Sequence, residues 1–142
     1  MFFFTTKDAK GRKVNMNANE TSRLVLDSAM KVHSALGPGL LEEAYKICLK
    51  HELEDRGATV HAEVAFPIRY DRATLDVGYR VDLVVENCLI VELKAVSQLA
   101  PIHKAQILTY LKLSKISLGL LLNFNTVHLK DGIIRVINSP QI

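Results

Sequence analysis

Apolar and polar residues alternate along the chain with two different periods. Over residues 21–36, Leu26, Ala29, Met30, His33 and Leu36 recur three and four apart, which predicts a helix capped by Thr21 or Ser22. Gly37-Pro38-Gly39 ends it, because glycine supplies a positive φ and proline cannot continue the ladder. A second helix is expected from about Leu40 to Arg56, with a stripe of Leu41, Ala44, Tyr45, Cys48, Leu49 and Leu53, closed by Gly57. The period then drops to two. Val60, Ala62, Val64, Phe66 and Ile68 alternate with His61, Glu63, Ala65 and Pro67, the pattern of a half-buried strand. Residues 79–85 and 89–95 read as two strands around Glu86-Asn87-Cys88, and Pro101 opens a third helix running to about Lys115. Residues 117–123 form a nearly continuous apolar run, as in a strand covered on both faces. Lys130-Asp131-Gly132 is placed to turn a hairpin between 127–129 and 133–137. The order ααβββαβββ predicts an α/β (α+β) domain with a central mixed sheet and helices packed on it.

Composition narrows this only slightly. The chain has 142 residues, 49% of them hydrophobic and 23% charged, which suits one packed core and excludes an extended disordered chain. The formal net charge is +3, and it lies in the first 23 residues, with five cations and two anions; the other 119 carry 13 of each sign. Residues 1–20 are therefore expected to form a flexible basic arm, with a short strand at 2–4, before a single domain over 21–142. Two cysteines, Cys48 and Cys88, are too few for a disulfide framework or a zinc site, and Cys48 reads as a small buried hydrophobe. The opening Phe2-Phe3-Phe4 is too short for a signal-peptide core, and no apolar run approaches the roughly 20 residues of a membrane span. A soluble, cytoplasmic protein with no membrane partner is expected.

Charged residues interrupt the two strands that are otherwise most apolar. Asp82, Glu92 and Lys94 stand among valines, leucines and isoleucines. An ionised group buried there costs several kcal/mol unless it is paired or bound to a metal. Glu92 and Lys94, two apart, share a strand face. Whether Asp82 joins them depends on the turn. A two-residue turn would set Asp82 opposite Val91, whereas a three-residue turn at Glu86-Asn87-Cys88 pairs Val85 with Leu89 and Asp82 with Glu92. The three-residue turn is predicted. Two adjacent carboxylates beside a lysine make a hard-oxygen site suited to Mg²⁺ or Mn²⁺. A buried structural ion network, or a simply exposed strand, is the competing reading.

Three other groups bear on that choice. Glu42 and Tyr45 are three apart at the start of the second helix; Glu42 is equally an ordinary partner for the helix dipole. Gln106 and Tyr110 share a face of the third helix, as a surface pair also would. His33 lies on the first helix's apolar face, where a satisfied core-edge histidine is the simpler explanation.

With these residues in view, the chain from about Ser22 to Asn138 resembles the GxxExxY protein family, a branch of the PD-(D/E)XK nuclease superfamily. Gly39, Glu42 and Tyr45 match the motif of the family's name. Asp82 with Glu92-Leu93-Lys94 matches the superfamily's D…ExK core, and Gln106 and Tyr110 match its QxxxY element. Val81 stands where the superfamily pattern has proline. The resemblance implies a restriction-endonuclease-like core, with a four-stranded mixed sheet flanked by helices. It also implies Mg²⁺ (or Mn²⁺) held by Asp82, Glu92 and the backbone carbonyl of Leu93, with Glu42 as a further ligand, direct or through water. Lys94 would orient or help deprotonate the attacking water, and Gln106 and Tyr110 would support Lys94 and the substrate phosphate. Tyr45 and His33 would be accessory. The implied function is metal-dependent hydrolysis of phosphodiester bonds in nucleic acid, DNA more than RNA.

Two alternatives come from other classes. A non-catalytic nucleic-acid module could use the helix–Gly-Pro-Gly–helix segment, but its second helix carries Glu42, Glu43, Glu52, Glu54 and Asp55, an unfavourable load for a recognition helix. An inactive nuclease-fold module binding protein or nucleic acid, or a homodimer joined through the edge hairpin, is the other.

Overall fold

A computed structural model describes residues 5–7, 13–76 and 80–139. Strands β1 (Thr5–Lys7) and β2 (Lys13–Asn15) pair antiparallel, within the segment expected to be an irregular arm. Three-residue strands are too short to leave a readable period. The strand expected at 2–4 lies outside the described residues.

Helix α1 (Ala18–Leu36) starts before Thr21, because the Glu20 N–H donates to the Asn17 side chain at 2.8 Å and Asn17 is the cap. Thr21 and Ser22 lie buried inside the first turns, and the Thr21 hydroxyl donates to the Asn17 carbonyl. The buried face is Val25, Ala29, Val32 and His33, while Met30 and Leu36, expected on it, are exposed. Spaced i, i+4 and i+7, the small and β-branched residues form the stripe that packs inward. The helix ends at Gly37, whose φ is 69° and whose N–H donates to the His33 carbonyl. Helix α2 (Glu42–Asp55) buries Tyr45, Leu49 and Leu53; Leu41 precedes it and is 81% exposed, outside the expected stripe.

After β3 (Val60–Ala65), Pro67 interrupts the alternation, and the chain makes a separate hairpin of β4 (Ile68–Tyr70) and β5 (Ala73–Leu75). Then come β6 (Arg80–Val85), β7 (Leu89–Lys94), α3 (Pro101–Ser114), β8 (Leu118–Asn123) and β9 (Ile133–Ile137). The central sheet has the order β3-β6-β7-β8-β9. Neighbours are antiparallel except β7 and β8, which run parallel and are joined through α3.

The expected mixed sheet flanked by helices is present, with five strands instead of four. The difference lies at the C-terminal end. Residues 129–132 form a single 3-10 turn in place of a hairpin's first strand, and β9 pairs directly with β8. The turn lies close over the end of β8: a Cβ on Gly132 would sit 2.3 Å from the Asn123 carbonyl oxygen, so only glycine fits.

The sheet separates two apolar layers. On one side α1 and α2 bring Val25, Ala29, Tyr45, Leu49 and Leu53 against Leu83, Val91, Leu93, Leu122 and Phe124. On the other, α3 sets Ile107, Tyr110 and Leu111 against Val81, Val84, Ile90 and Leu121. β8 is buried along its whole length, as its sequence predicts.

Candidate active site

The β6–β7 turn determines what faces what. Glu86 and Asn87 both take positive φ (56° and 48°), and the Cys88 N–H donates to the Val85 carbonyl. Val85 consequently stands opposite Leu89, the register of the three-residue turn. Glu86 is held there from β3's side: its N–H donates to the Thr59 carbonyl, and its carboxylate accepts the Thr59 N–H. Regular pairing continues through Val84–Ile90 to Leu83–Val91 and stops.

Where the ladder stops, two carboxylates take over its hydrogen bonds. The Asp82 N–H donates to Glu92 Oε1 at 2.8 Å, and the Leu93 N–H donates to Asp82 Oδ2 at 2.8 Å. Side-chain oxygens thus satisfy backbone donors freed by the divergence of the strands. β3 is irregular at the same level: Glu63 takes φ 56°, and its pairing with β6 skips from Ala62–Leu83 to Val64–Val81. Face alternation breaks here too, since Leu83 packs toward α1 and α2 but Val81 packs toward α3. Asp82 and Glu92 therefore meet across a gap between strands, through crossed hydrogen bonds, and not as a regular cross-strand pair.

Other charges converge on this gap. Glu42, the first residue of α2, is raised above its ordinary carboxyl value by burial and then by the charge of Asp82, with Lys94 and Lys46 opposing. Burial likewise raises Asp82, against the pull of the Leu93 N–H, Lys46 and Lys94. Glu92, 7% exposed, is pushed up to about 8, first by burial and then by Asp82, with Glu42 adding to the effect. The structure thus brings Glu42, Asp82, Glu92 and Lys94 within electrostatic reach of one another.

The remaining sequence candidates divide. Gln106 and Tyr110 stand together on α3, lining a groove of about 300 Å³ with Ile68, Ile102, Ala105 and Thr109. Tyr110 also packs in the cluster that contains Val81, the neighbour of Asp82. Tyr45 is fully buried, stacked on Phe124 at 4.6 Å. Its hydroxyl donates to the Gly37 carbonyl at 2.5 Å and accepts the Leu40 N–H. This gives the Gly-x-x-Glu-x-x-Tyr spacing a physical role. The tyrosine ties down the Gly37–Leu40 loop, in which Gly39 takes φ 104°, and so places Glu42 at the helix start. His33 is buried, and its Nε2 is hydrogen-bonded to the Thr126 carbonyl at 2.8 Å, the satisfied core-edge position.

Two residues escaped the sequence reading. Lys46, only 8% exposed, bridges Glu43 and Glu63 and lowers both Asp82 and Glu42. Its signal was an i, i+4 spacing from Glu42, indistinguishable from a surface helix pair. Asn123 is 2% exposed: its Oδ1 accepts the Val96 and Asn125 N–H groups, and its Nδ2 donates to the Val96 carbonyl. With the Phe124 N–H on the Lys94 carbonyl, it clamps the backbone that leaves β7 after Lys94. A polar amide closing an otherwise apolar strand was the available clue.

Among the described residues, no three His, Cys, Asp or Glu side chains are grouped to hold an ion by themselves. Any cation here would rely on two carboxylates, with backbone oxygen and water completing its shell. The donor set fits that description: hard oxygens, half-buried or buried, all shifted toward the protonated state by burial, with Asp82 adding to the shift of Glu42 and Glu92. Such a cluster favours a divalent cation electrostatically.

A family model of the PD-(D/E)XK nuclease superfamily matches residues 19–136, from the first turn of α1 into β9. No curated protein matches the chain. Among solved structures, the chain is similar to the crystal structure of SSO0001, at 21% identity and a TM-score of 0.49, over 87% of this chain and 60% of that one. The present chain therefore spans about 60% of that chain's length. In this superfamily, whose enzymes generally use divalent metals on nucleic acid, the fold is restriction-endonuclease-like. With the match covering both helical layers and the sheet between them, the chain belongs to the PD-(D/E)XK nuclease superfamily.

Proposed function

We propose that this chain is a Mg²⁺- or Mn²⁺-dependent nuclease of the GxxExxY branch, hydrolysing phosphodiester bonds of DNA in preference to RNA. The crossed hydrogen bonds, from the Asp82 N–H to the Glu92 carboxylate and from the Leu93 N–H to the Asp82 carboxylate, carry the reading, because they hold two carboxylates side by side at the point where the strands part. Asp82, Glu92 and the Leu93 carbonyl would hold the ion, with Glu42 approaching from the start of α2. The ion, when bound, lowers the pKa of water and offsets charge developing on the phosphoryl group.

The chain's own groups do the rest. Lys94, two residues along β7 from Glu92, orients the attacking water and partly neutralises the phosphate. Water oxygen adds to phosphorus and loses a proton to bulk water, the bond to the leaving sugar oxygen breaks, and that oxygen takes up a proton from bulk water. Gln106 and Tyr110, on one face of α3, contact the phosphate through amide and phenol. Lys46 keeps Asp82 and Glu42 closer to ionised before the ion arrives.

The test is cleavage of plasmid DNA, single-stranded DNA and RNA with millimolar Mg²⁺ or Mn²⁺, with EDTA as control. Asp82→Ala and Lys94→Ala should abolish cleavage while circular dichroism stays that of the parent. Cleavage that persists in EDTA or in Asp82→Ala would refute the proposal, as would absence of divalent binding by titration calorimetry.

A further inference from the structure

The balanced charge of residues 24–142 conceals a strong segregation. Between Glu92 and Asp131, residues 93–130 contain no aspartate or glutamate, yet they contain Lys94, Lys104, Lys112, Lys115 and Lys130. Helix α3 lies in this stretch, so its exposed surface is basic, whereas α2 carries five acids. At the C-terminal end of α3, Lys112 and Lys115 are exposed, and Lys115 takes a left-handed conformation (φ 62°) as the helix cap. The root of the β4–β5 hairpin lies against the same end and brings exposed Arg69. Together Pro67, Arg69, Lys112, Leu113 and Lys115 line an open groove of about 410 Å³, with three cations and no acid among the described residues. Among the described residues, none of the three cations forms an ion pair. Asp71, at the hairpin tip, is the nearest acid in sequence and is not part of the lining.

We propose that this groove holds the sugar–phosphate backbone of a nucleic acid strand being led to the carboxylate pair. The inference rests on the nuclease reading above and adds to it a path for the substrate. Three cations without an ion pair among the described residues, around an open, partly apolar channel, suit a polyanion whose charges repeat along its length. This groove and the one lined by Gln106 and Tyr110 are both walled by α3 and by residues at the start of β4. Tyr110 in turn belongs to the same buried cluster as Val81, the neighbour of Asp82. A strand following α3 from Lys115 toward Ile102 therefore passes the amide and phenol that would contact the scissile phosphate. Each cation contributes by releasing condensed counterions, so its removal should reduce the salt dependence of binding as well as its strength.

The experiment compares the full chain with the triple variant Arg69→Ala, Lys112→Ala, Lys115→Ala. A second triple variant, Arg23→Ala, Lys31→Ala, Lys50→Ala, removes equal charge from α1 and α2. Binding of a fluorescein-labelled single-stranded oligonucleotide is followed by anisotropy in EDTA, which keeps cleavage off, from about 50 to about 200 mM salt. The groove variant should bind at least about tenfold more weakly, with the slope of log K against log salt reduced by about 2, while the second variant tracks the parent. An unchanged slope in the groove variant overturns the inference; divalent-dependent cleavage by the parent in parallel would leave the nuclease reading intact. A parent that does not bind the oligonucleotide also overturns it. So does a groove variant that loses binding to phosphatidylserine vesicles but not to the oligonucleotide, which would assign the groove to anionic lipid.

Discussion

Replacing Glu92 by glutamine should make the protein more stable in alkaline solution, and the site sets the size of the gain. The Glu92 carboxyl is pushed from its ordinary 4.5 up to about 8, by burial first and by Asp82 second. Between those values the folded chain retains a proton that the unfolded chain has released, so the stability linked to Glu92 is complete below about 4.5 and is lost as pH rises through about 8. At about 1.4 kcal/mol per pKa unit the whole interval is worth roughly 5 kcal/mol, an upper figure because Asp82 titrates with Glu92 and shares the effect. Glutamine keeps an oxygen for the Asp82 N–H but cannot ionise. In EDTA, urea unfolding from about pH 5 to about pH 9 should show the parent losing stability steeply and Glu92→Gln much less. The two should lie within roughly 1 kcal/mol at the acid end, with the variant ahead by about 2 kcal/mol or more at the alkaline end. Saturating Mg²⁺ should restore the parent at alkaline pH and leave the variant unmoved. Parallel pH profiles for the two proteins would refute the description of Glu92 as a buried carboxyl repelled by Asp82.

Other perturbations test the surroundings of the site. A Cβ at position 119 would lie 2.8 Å from Ile107 Cδ1 on buried α3, so Gly119→Ala should cost about 1–3 kcal/mol in urea unfolding, and Ile107→Val, which removes that carbon, should recover part of it in the double variant. Strict additivity of the two would show that α3 does not rest on Gly119. Asn123→Ala removes three hydrogen bonds and leaves the Val96 amide and carbonyl without side-chain partners; a loss of about 2–4 kcal/mol is expected, with kcat reduced through the displaced backbone after Lys94. Lys46→Met should shift the pH dependence of Mn²⁺ binding, read by calorimetry, toward higher pH, because Lys46 lowers Asp82 and Glu42; an unmoved profile would remove Lys46 from the site.

The layers of the fold were legible because burial writes a period into the sequence. β8 is the clearest case, an uninterrupted apolar run that proves buried along its length. The register of the β6–β7 hairpin was legible too, since it depends only on turn length. The far end of that hairpin was not. The ladder ends at Leu83–Val91, and at the same level β3 breaks its own pairing at Glu63, a residue in another strand whose positive φ nothing in its neighbourhood announces. The α1 face was misjudged for a related reason: Met30 and Leu36 are as apolar as Val25 and Val32, and the partner surface decides between them. The C-terminal hairpin failed because a Lys-Asp-Gly turn fits several geometries, and the chain chose the one that covers the end of β8. Lys46 was overlooked because its meaning comes from Glu63, seventeen residues on, and not from its own helix.

The same interruption of the ladder explains why charge can stand in the sheet at all. Two regular strands at Asp82 and Glu92 would satisfy each other's backbone groups and leave the carboxylates to be buried with nothing to accept from. Once the strands part, each carboxylate receives a backbone N–H, a charge-assisted bond worth about 1.5–3 kcal/mol, while the penalty of removing an ion from water is several kcal/mol each. The deficit is visible in the raised values of Glu42, Asp82 and Glu92, and Lys94 and Lys46 reduce it without closing it. Only a proton or a cation can close it. A proton does so, on Glu92 up to about pH 8, and silences that carboxylate as a ligand; a divalent cation displaces the proton and uses the oxygens. Stability withheld from the ionised carboxylates is therefore available to binding, and an ion that recovers it is held more tightly for that reason.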